Sequence, residues 1–231
     1  MRTTPVKRGQ ARTLVSPTGY ERKFAAAVSG AKLITRTASA IQTPDVVHLP
    51  TDKPAIIAAN HSSLYDLVAS LVMLSNFGIT ARIGVNKRFF NNPVMGAFLR
   101  GIGSVPFAKG EGQKAEDEMV AALLDGQVVA LMPEGRITRP EDQVNGVGPS
   151  RPGISRIARR AEAAIVPVGF AGADEAWVPG SPLPKLRLGK HRVIVSIGAP
   201  IELLGDDHVA NSERVMKEIG ALVMAGRNAL S

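Results

Sequence analysis

From residue 55 onward, short apolar runs alternate with longer amphipathic stretches. This alternation constrains the fold more than any other feature of the chain. Ala55–Asn60 (AIIAAN), Ala81–Val85, Gly103–Phe107, Val128–Met132 (VVALM), Ala164–Phe170 and Arg192–Gly198 are the strand candidates. Between them Asp66–Asn76, Pro93–Arg100, Lys114–Leu124 and Gly153–Ala163 read as helices, and a closing helix starts at Asn211 and ends near Ala229. Pro93 opens its helix where a missing N–H costs nothing. Apolar strands separated by helices predict an α/β fold: a central, mostly parallel sheet flanked by helices on both faces. The 231 residues suit one such domain, with no internal repeat.

Ahead of residue 45 the pattern differs. Residues 1–19 are basic and aperiodic and read as a loose arm. From Tyr20 to Gln42, residues Phe24, Val28, Ala31, Ile34, Ala38 and Ile41 recur at helical spacing. Arg22, Lys23, Lys32 and Arg36 lie mostly off that stripe. Such an N-terminal amphipathic helix can lie in a membrane interface or pack on its own domain. The expected division is therefore 1–44, a basic arm and helix with possible membrane contact, and 45–231, a single domain.

Composition sets the surroundings. Lys and Arg total 28 against 20 Asp and Glu, which favours polyanions: anionic headgroups, phosphorylated substrates or nucleic acid. The absence of cysteine excludes a disulfide framework, a zinc–thiolate site and a cysteine nucleophile. It also favours a reducing compartment. The longest apolar candidate, Leu67–Ile79, is shorter than the roughly 18 residues of a membrane-spanning helix. The basic N-terminus lacks the apolar core of a signal peptide. Any membrane contact is expected to be peripheral.

Ligands of parallel sheets gather outside the carboxyl ends of the strands. Asn60-His61 follows one strand candidate directly, and Pro133-Glu134-Gly135 follows another. Histidine suits general-base work near neutrality, given a partner that fixes its tautomer. Asp66 stands at a helix start, a turn away from His61, and its carboxylate can reach back to one ring nitrogen. The plainer reading makes Asp66 a helix N-cap. Residues 139–153, rich in Gly, Pro, Asn and charge, read as a mobile loop beside the second segment.

The segment N-H-S-S-L-Y-D, residues 60–66, resembles the first motif (H-x4-D) of the glycerolipid acyltransferases, the family of 1-acylglycerol-3-phosphate (lysophosphatidate) acyltransferases. Residues 91–109 are similar to its second region. Met132-Pro133-Glu134-Gly135-Arg136-Ile137-Thr138 is similar to its third, usually F-P-E-G-T-R-S. Ile165-Val166-Pro167-Val168-Gly169 is similar to its fourth. Four segments in the family's order, over about residues 45–200, make the pattern specific.

The resemblance implies an O-acyltransferase of phospholipid biosynthesis. His61 would be the general base, oriented by Asp66. An acyl chain would pass from acyl-CoA or acyl-carrier protein to the hydroxyl of a lysophospholipid, chiefly 1-acyl-sn-glycerol 3-phosphate, giving phosphatidate. Neither cofactor nor metal is implied. The residues carried over for the acceptor are Lys87, Lys109, Glu134, Gly135 and Arg136. Lys109 stands where arginine is common, and Lys87 is next to Asn86, where lysine is common. Arg136 and Ile137 replace the usual threonine and arginine. The string P-E-G-R-I-T also resembles the acyltransferase part of lysophosphatidylethanolamine-recycling enzymes, so lysophosphatidylethanolamine or another lysolipid is the alternative acceptor. The expected location is the cytoplasm, peripheral on the inner face of the cell membrane.

A basic nucleic-acid-binding protein without catalysis is the competing class. Aromatics at 4% leave few stacking platforms, so no nucleic-acid partner is expected. A serine hydrolase lacks its G-x-S-x-G elbow. No P-loop, H-E-x-x-H or G-x-G-x-x-G string occurs.

Overall fold

The computed structural model describes residues 1–9, 21–181 and 191–231. Among the described residues nine strands run in chain order: β1 (Thr3–Lys7), β2 (Ser39–Gln42), β3 (Val46–Pro50), β4 (Ala55–Ala59), β5 (Ala81–Asn86), β6 (Val105–Phe107), β7 (Val128–Leu131), β8 (Ala164–Ala171) and β9 (His191–Ile197). The helices are α1 (Glu21–Ala38), α2 (Tyr65–Asn76), α3 (Pro93–Gly101), α4 (Gly112–Leu124), α5 (Gly153–Arg160), the single turn α6 (Ala173–Ala176) and α7 (His208–Asn228).

Seven strands form one sheet in the order β2-β9-β8-β4-β7-β5-β6. From β8 to β6 every neighbouring pair is parallel. β9 runs antiparallel to β8, and β2 is parallel to β9. The sheet expected from the alternation is thus present, with two reversed strands added at one edge.

Strand alternation assigns successive side chains to opposite faces. Ile57 and Ala59 join a core with α1 and α2, through Phe24, Val28, Leu71 and Leu74. Ile56 and Ala58 join a second core with α4, α5 and α7, through Met119, Leu123, Ile157 and Ile219. All of β4 and β8 is buried, as strands covered on both faces must be. Asn92 caps α3 by accepting from Val94 N and Met95 N, and Pro93 follows it at the first helical position.

Three expectations need correction. Thr3–Lys7 is not part of a loose arm: it pairs with β3 in a separate two-stranded sheet. Residues 10–19 of that arm, and Tyr20, lie outside the described residues. The N-terminal helix stops at Ala38, and Ser39–Gln42 becomes a strand. Ile41 fits a helical spacing there, but pairing with β9 prevails, and Ser39 shares a 2.5 Å hydrogen bond with the Tyr65 hydroxyl.

The third correction concerns residues 139–153, which hold a 3₁₀ turn at Pro140–Asp142 and a hairpin at Val144–Val147. Val144 and Val147 exchange backbone hydrogen bonds around Asn145-Gly146. Both turn residues have positive φ, 53° and 77°, the two-residue hairpin geometry that Asn-Gly favours. Gln143 donates to Thr138 O and accepts from Arg227 of α7. Among the described residues, no helix is long and apolar enough to cross a membrane.

Candidate active site

β4 ends at Ala59, and its two following residues turn over the sheet edge. Asn60 is buried and locks this turn to β8: its side chain donates to Phe170 O at 3.1 Å and accepts from Phe170 N at 2.7 Å. His61 comes next, with its side chain 20% exposed. Its Nδ1 lies 3.1 Å from Asp66 Oδ2. The same oxygen accepts from Ser62 N and Ser63 N, both at 2.7 Å. Asp66 is the second residue of α2 and, among the described residues, no side chain caps that helix, so Asp66 serves as the partner of His61 and not as an N-cap.

Asp66 is fully buried. Burial pushes its carboxyl above the ordinary aspartate range, while His61 and the two amides pull the other way. With Asp66 ionised, Nδ1 carries the proton and donates it. Nε2 forms no hydrogen bond among the described residues and belongs to the exposed part of the ring. An imidazole so held can take a proton from a hydroxyl placed against Nε2.

The segment after β7 braces this arrangement from behind. Glu134 is buried; its Oε1 accepts from His61 N at 2.8 Å, and its Oε2 accepts from the Thr138 hydroxyl. Thr138 N in turn donates to His61 O at 2.8 Å. Burial pushes Glu134 up from the ordinary glutamate range, against the bonds from Thr138 and His61. Glu134 is one of the residues carried over for the acceptor, and both its oxygens accept from this chain's own donors. It fixes the backbone of His61. Among the described residues no cluster of His, Asp and Glu could hold a metal ion.

A family model described as Acyltransferase matches residues 41–171. That span is more than half the chain and contains His61, Asp66 and Glu134. The chain belongs to this acyltransferase family. The solved 1-acyl-sn-glycerophosphate (LPA) acyltransferase PlsC from Thermotoga maritima is similar to it in fold, with a TM-score of 0.61 and 20% sequence identity. The match covers 89% of this chain and 77% of that one. No curated protein is significantly similar to the chain.

The remaining residues expected at the acyltransferase site come from neighbouring strands. His61 follows β4, Gly135 and Arg136 follow β7, Lys87 follows β5 and Lys109 follows β6. These four strands are adjacent and parallel, so all the segments leave one edge of the sheet. Three strand spacings, roughly 14 Å, separate the first from the last. Arg136 and Lys109 are exposed and form no ion pair or hydrogen bond among the described residues. Lys87 is paired with Glu111, at 2.7 and 2.9 Å. Gly135 has φ of +66° and closes the turn with Met132 O.

Asn60, Thr138, and the amides of Ser62 and Ser63 were not singled out from sequence. Asn60 and Thr138 lie inside the resembling segments and were legible there as polar residues beside His61 and Glu134. The amide donors leave no trace in residue identity.

Proposed function

We propose that this acyltransferase moves an acyl chain from a thioester donor, acyl-CoA or acyl-carrier protein, to the free hydroxyl of a lysophospholipid. The preferred acceptor is 1-acyl-sn-glycerol 3-phosphate and the product phosphatidate. The observation that carries this reading is the His61 imidazole, held at Nδ1 by buried Asp66 with Nε2 left unbonded at the sheet edge.

Nε2 takes the proton of the acceptor hydroxyl as its oxygen attacks the thioester carbonyl. Asp66 stabilises the imidazolium. The tetrahedral intermediate collapses, the C–S bond breaks, and the proton on Nε2 goes to the departing thiolate. General-base assistance is worth roughly 10²–10⁴-fold; positioning of donor and acceptor must supply much of the remainder. Lys109 and Arg136, uncompensated on the same edge, favour an anionic acceptor.

Both lipids partition into a bilayer, so the enzyme works as a peripheral protein at a membrane surface. α1 is a poor anchor, because Phe24, Ala27, Val28 and Ala31 of its apolar face are buried in the core. The better contact is the 3₁₀ turn Lys87–Asn91 with α3. There Val94 is 80% exposed and Met95 40%, and Arg88 and Arg100 of the same two elements are exposed cations.

The pairing of Lys87 with Glu111 favours a second reading, a phosphodiester headgroup of smaller charge such as that of lysophosphatidylethanolamine. Lipid mass spectrometry of products from an acceptor panel decides between them. Preference for lysophosphatidate supports the first reading. Preference for a phosphate-free acceptor sinks both.

A further inference from the structure

Arg151 lies outside every segment that carries the family resemblance, yet the fold returns it to the Pro133-Glu134-Gly135 turn. Its backbone N–H donates to Pro133 O at 2.9 Å, and its Nε donates to Glu134 O at 3.2 Å. The side chain crosses Gly135. A Cβ on Gly135 would stand 2.8 Å from Arg151 Cδ and 2.7 Å from Nε. Glycine at 135 therefore meets two needs, the positive φ and the passage of this side chain.

With Nε held by a turn carbonyl, the guanidinium plane is fixed, because the group is rigid. Its two terminal amino groups form no hydrogen bond or ion pair among the described residues, and the residue is exposed. The anchoring turn is the one whose Glu134 holds His61 N. Of the other groups on the turn, Glu134 is engaged, Ile137 is uncharged and Arg136 is unanchored. Among the described residues of the turn and its contacts, Arg151 is the anchored cation.

We propose that Arg151 binds the phosphate of the acceptor, its terminal amino groups donating to two phosphate oxygens. The inference rests on the lysophospholipid reading above and names the residue that enforces it. A paired, charge-assisted contact of this kind has the geometry for phosphate recognition.

The test compares wild type with Arg151→Ala and Arg151→Lys on lysophosphatidate and on phosphate-free monoacylglycerol. For lysophosphatidate, KM should rise about 10- to 100-fold in Arg151→Ala with kcat nearly unchanged. Arg151→Lys should fall between, since it keeps charge but loses the fork. Kinetics on monoacylglycerol should not move. Equal losses on both acceptors would make Arg151 a brace of the turn and overturn the proposal, as would an unchanged KM. If wild type acylates only monoacylglycerol, the lysophosphatidate reading fails by itself. Arg151 is then judged by calorimetry with glycerol 3-phosphate. Binding that weakens in Arg151→Ala upholds the inference, whereas equal binding, or none by wild type, removes it.

Discussion

One oxygen of Asp66 takes three donors: the His61 ring and two backbone amides. An amide side chain cannot reproduce this, because an asparagine NH2 facing the donors repels them and its weaker oxygen gives up the charge. Asp66→Asn and His61→Ala should each lower kcat/KM by roughly 10²–10⁴-fold. His61→Ala should lower the melting temperature less than Asp66→Asn, since two amides still pair with Asp66. Asp66→Asn should lower it, since buried donors lose their acceptor. Retained transfer in His61→Ala would remove that residue from the mechanism. Because burial raises Asp66, activity should decline with falling pH from above the ordinary carboxylate range, as protonated Asp66 no longer supports the imidazolium.

Glu134 separates stability from activity at the same scale. Its folded pKa is raised, so the native chain keeps a proton that the unfolded chain releases. The stability linked to that proton is fully present below the unfolded value and is lost as pH rises through the folded one. Glu134→Gln can still accept from His61 N but has no such titration. Wild type should therefore lose stability relative to Glu134→Gln as pH rises above the ordinary glutamate range. Thermal melts of both proteins across that rise check the sign. A gap that stays constant, or moves in favour of wild type with rising pH, contradicts the burial argument.

At the scale of elements, the main strands and helices from residue 55 on were legible, because their apolar runs had to be largely buried, whereas the single turn α6 was not. The short strands before it were not. β1 shows one buried residue in five, and β2 extends a helical spacing into a sheet edge. The site was legible in part for a related reason. His61 and Asp66 meet across one turn, so their spacing records their contact. Arg151 reaches its partner beyond a hairpin that Asn145-Gly146 marks locally, but no local pattern brings Arg151 back to Pro133 and Glu134. That hairpin depends on Gly146, where φ is +77° and a Cβ would stand 2.5 Å from Val223 Cγ1 of α7. Gly146→Ala should cost about 1–3 kcal/mol, read as a lowered denaturation midpoint. If the hairpin sets Arg151, KM for a phosphorylated acceptor should rise in the same variant.

The whole molecule decides how substrate arrives. One sheet edge carries His61 and the Lys87, Lys109 and Arg136 segments, and among the described residues Lys109 and Arg136 leave unpaired positive charge near the base. The apolar tip of α3, Val94 and Met95, follows the Lys87–Asn91 turn that leaves this edge after β5. A bilayer meeting Val94 and Met95 would bring anionic headgroups to Arg88 and Arg100, and a lysolipid could reach the edge without crossing water. Replacing Val94 and Met95 together by aspartate removes apolar contact and adds repulsion. Binding to vesicles rich in anionic lipid should fall roughly tenfold or more. Turnover of a short-chain acceptor dissolved in water should hold, since neither residue touches the His61–Asp66 pair. Added salt should weaken the wild type on vesicles in the same direction. Leu33 is 65% exposed on α1 and serves as the control: if Leu33→Asp abolishes vesicle binding while the α3 variant retains it, the membrane face is α1 and the approach route must be redrawn.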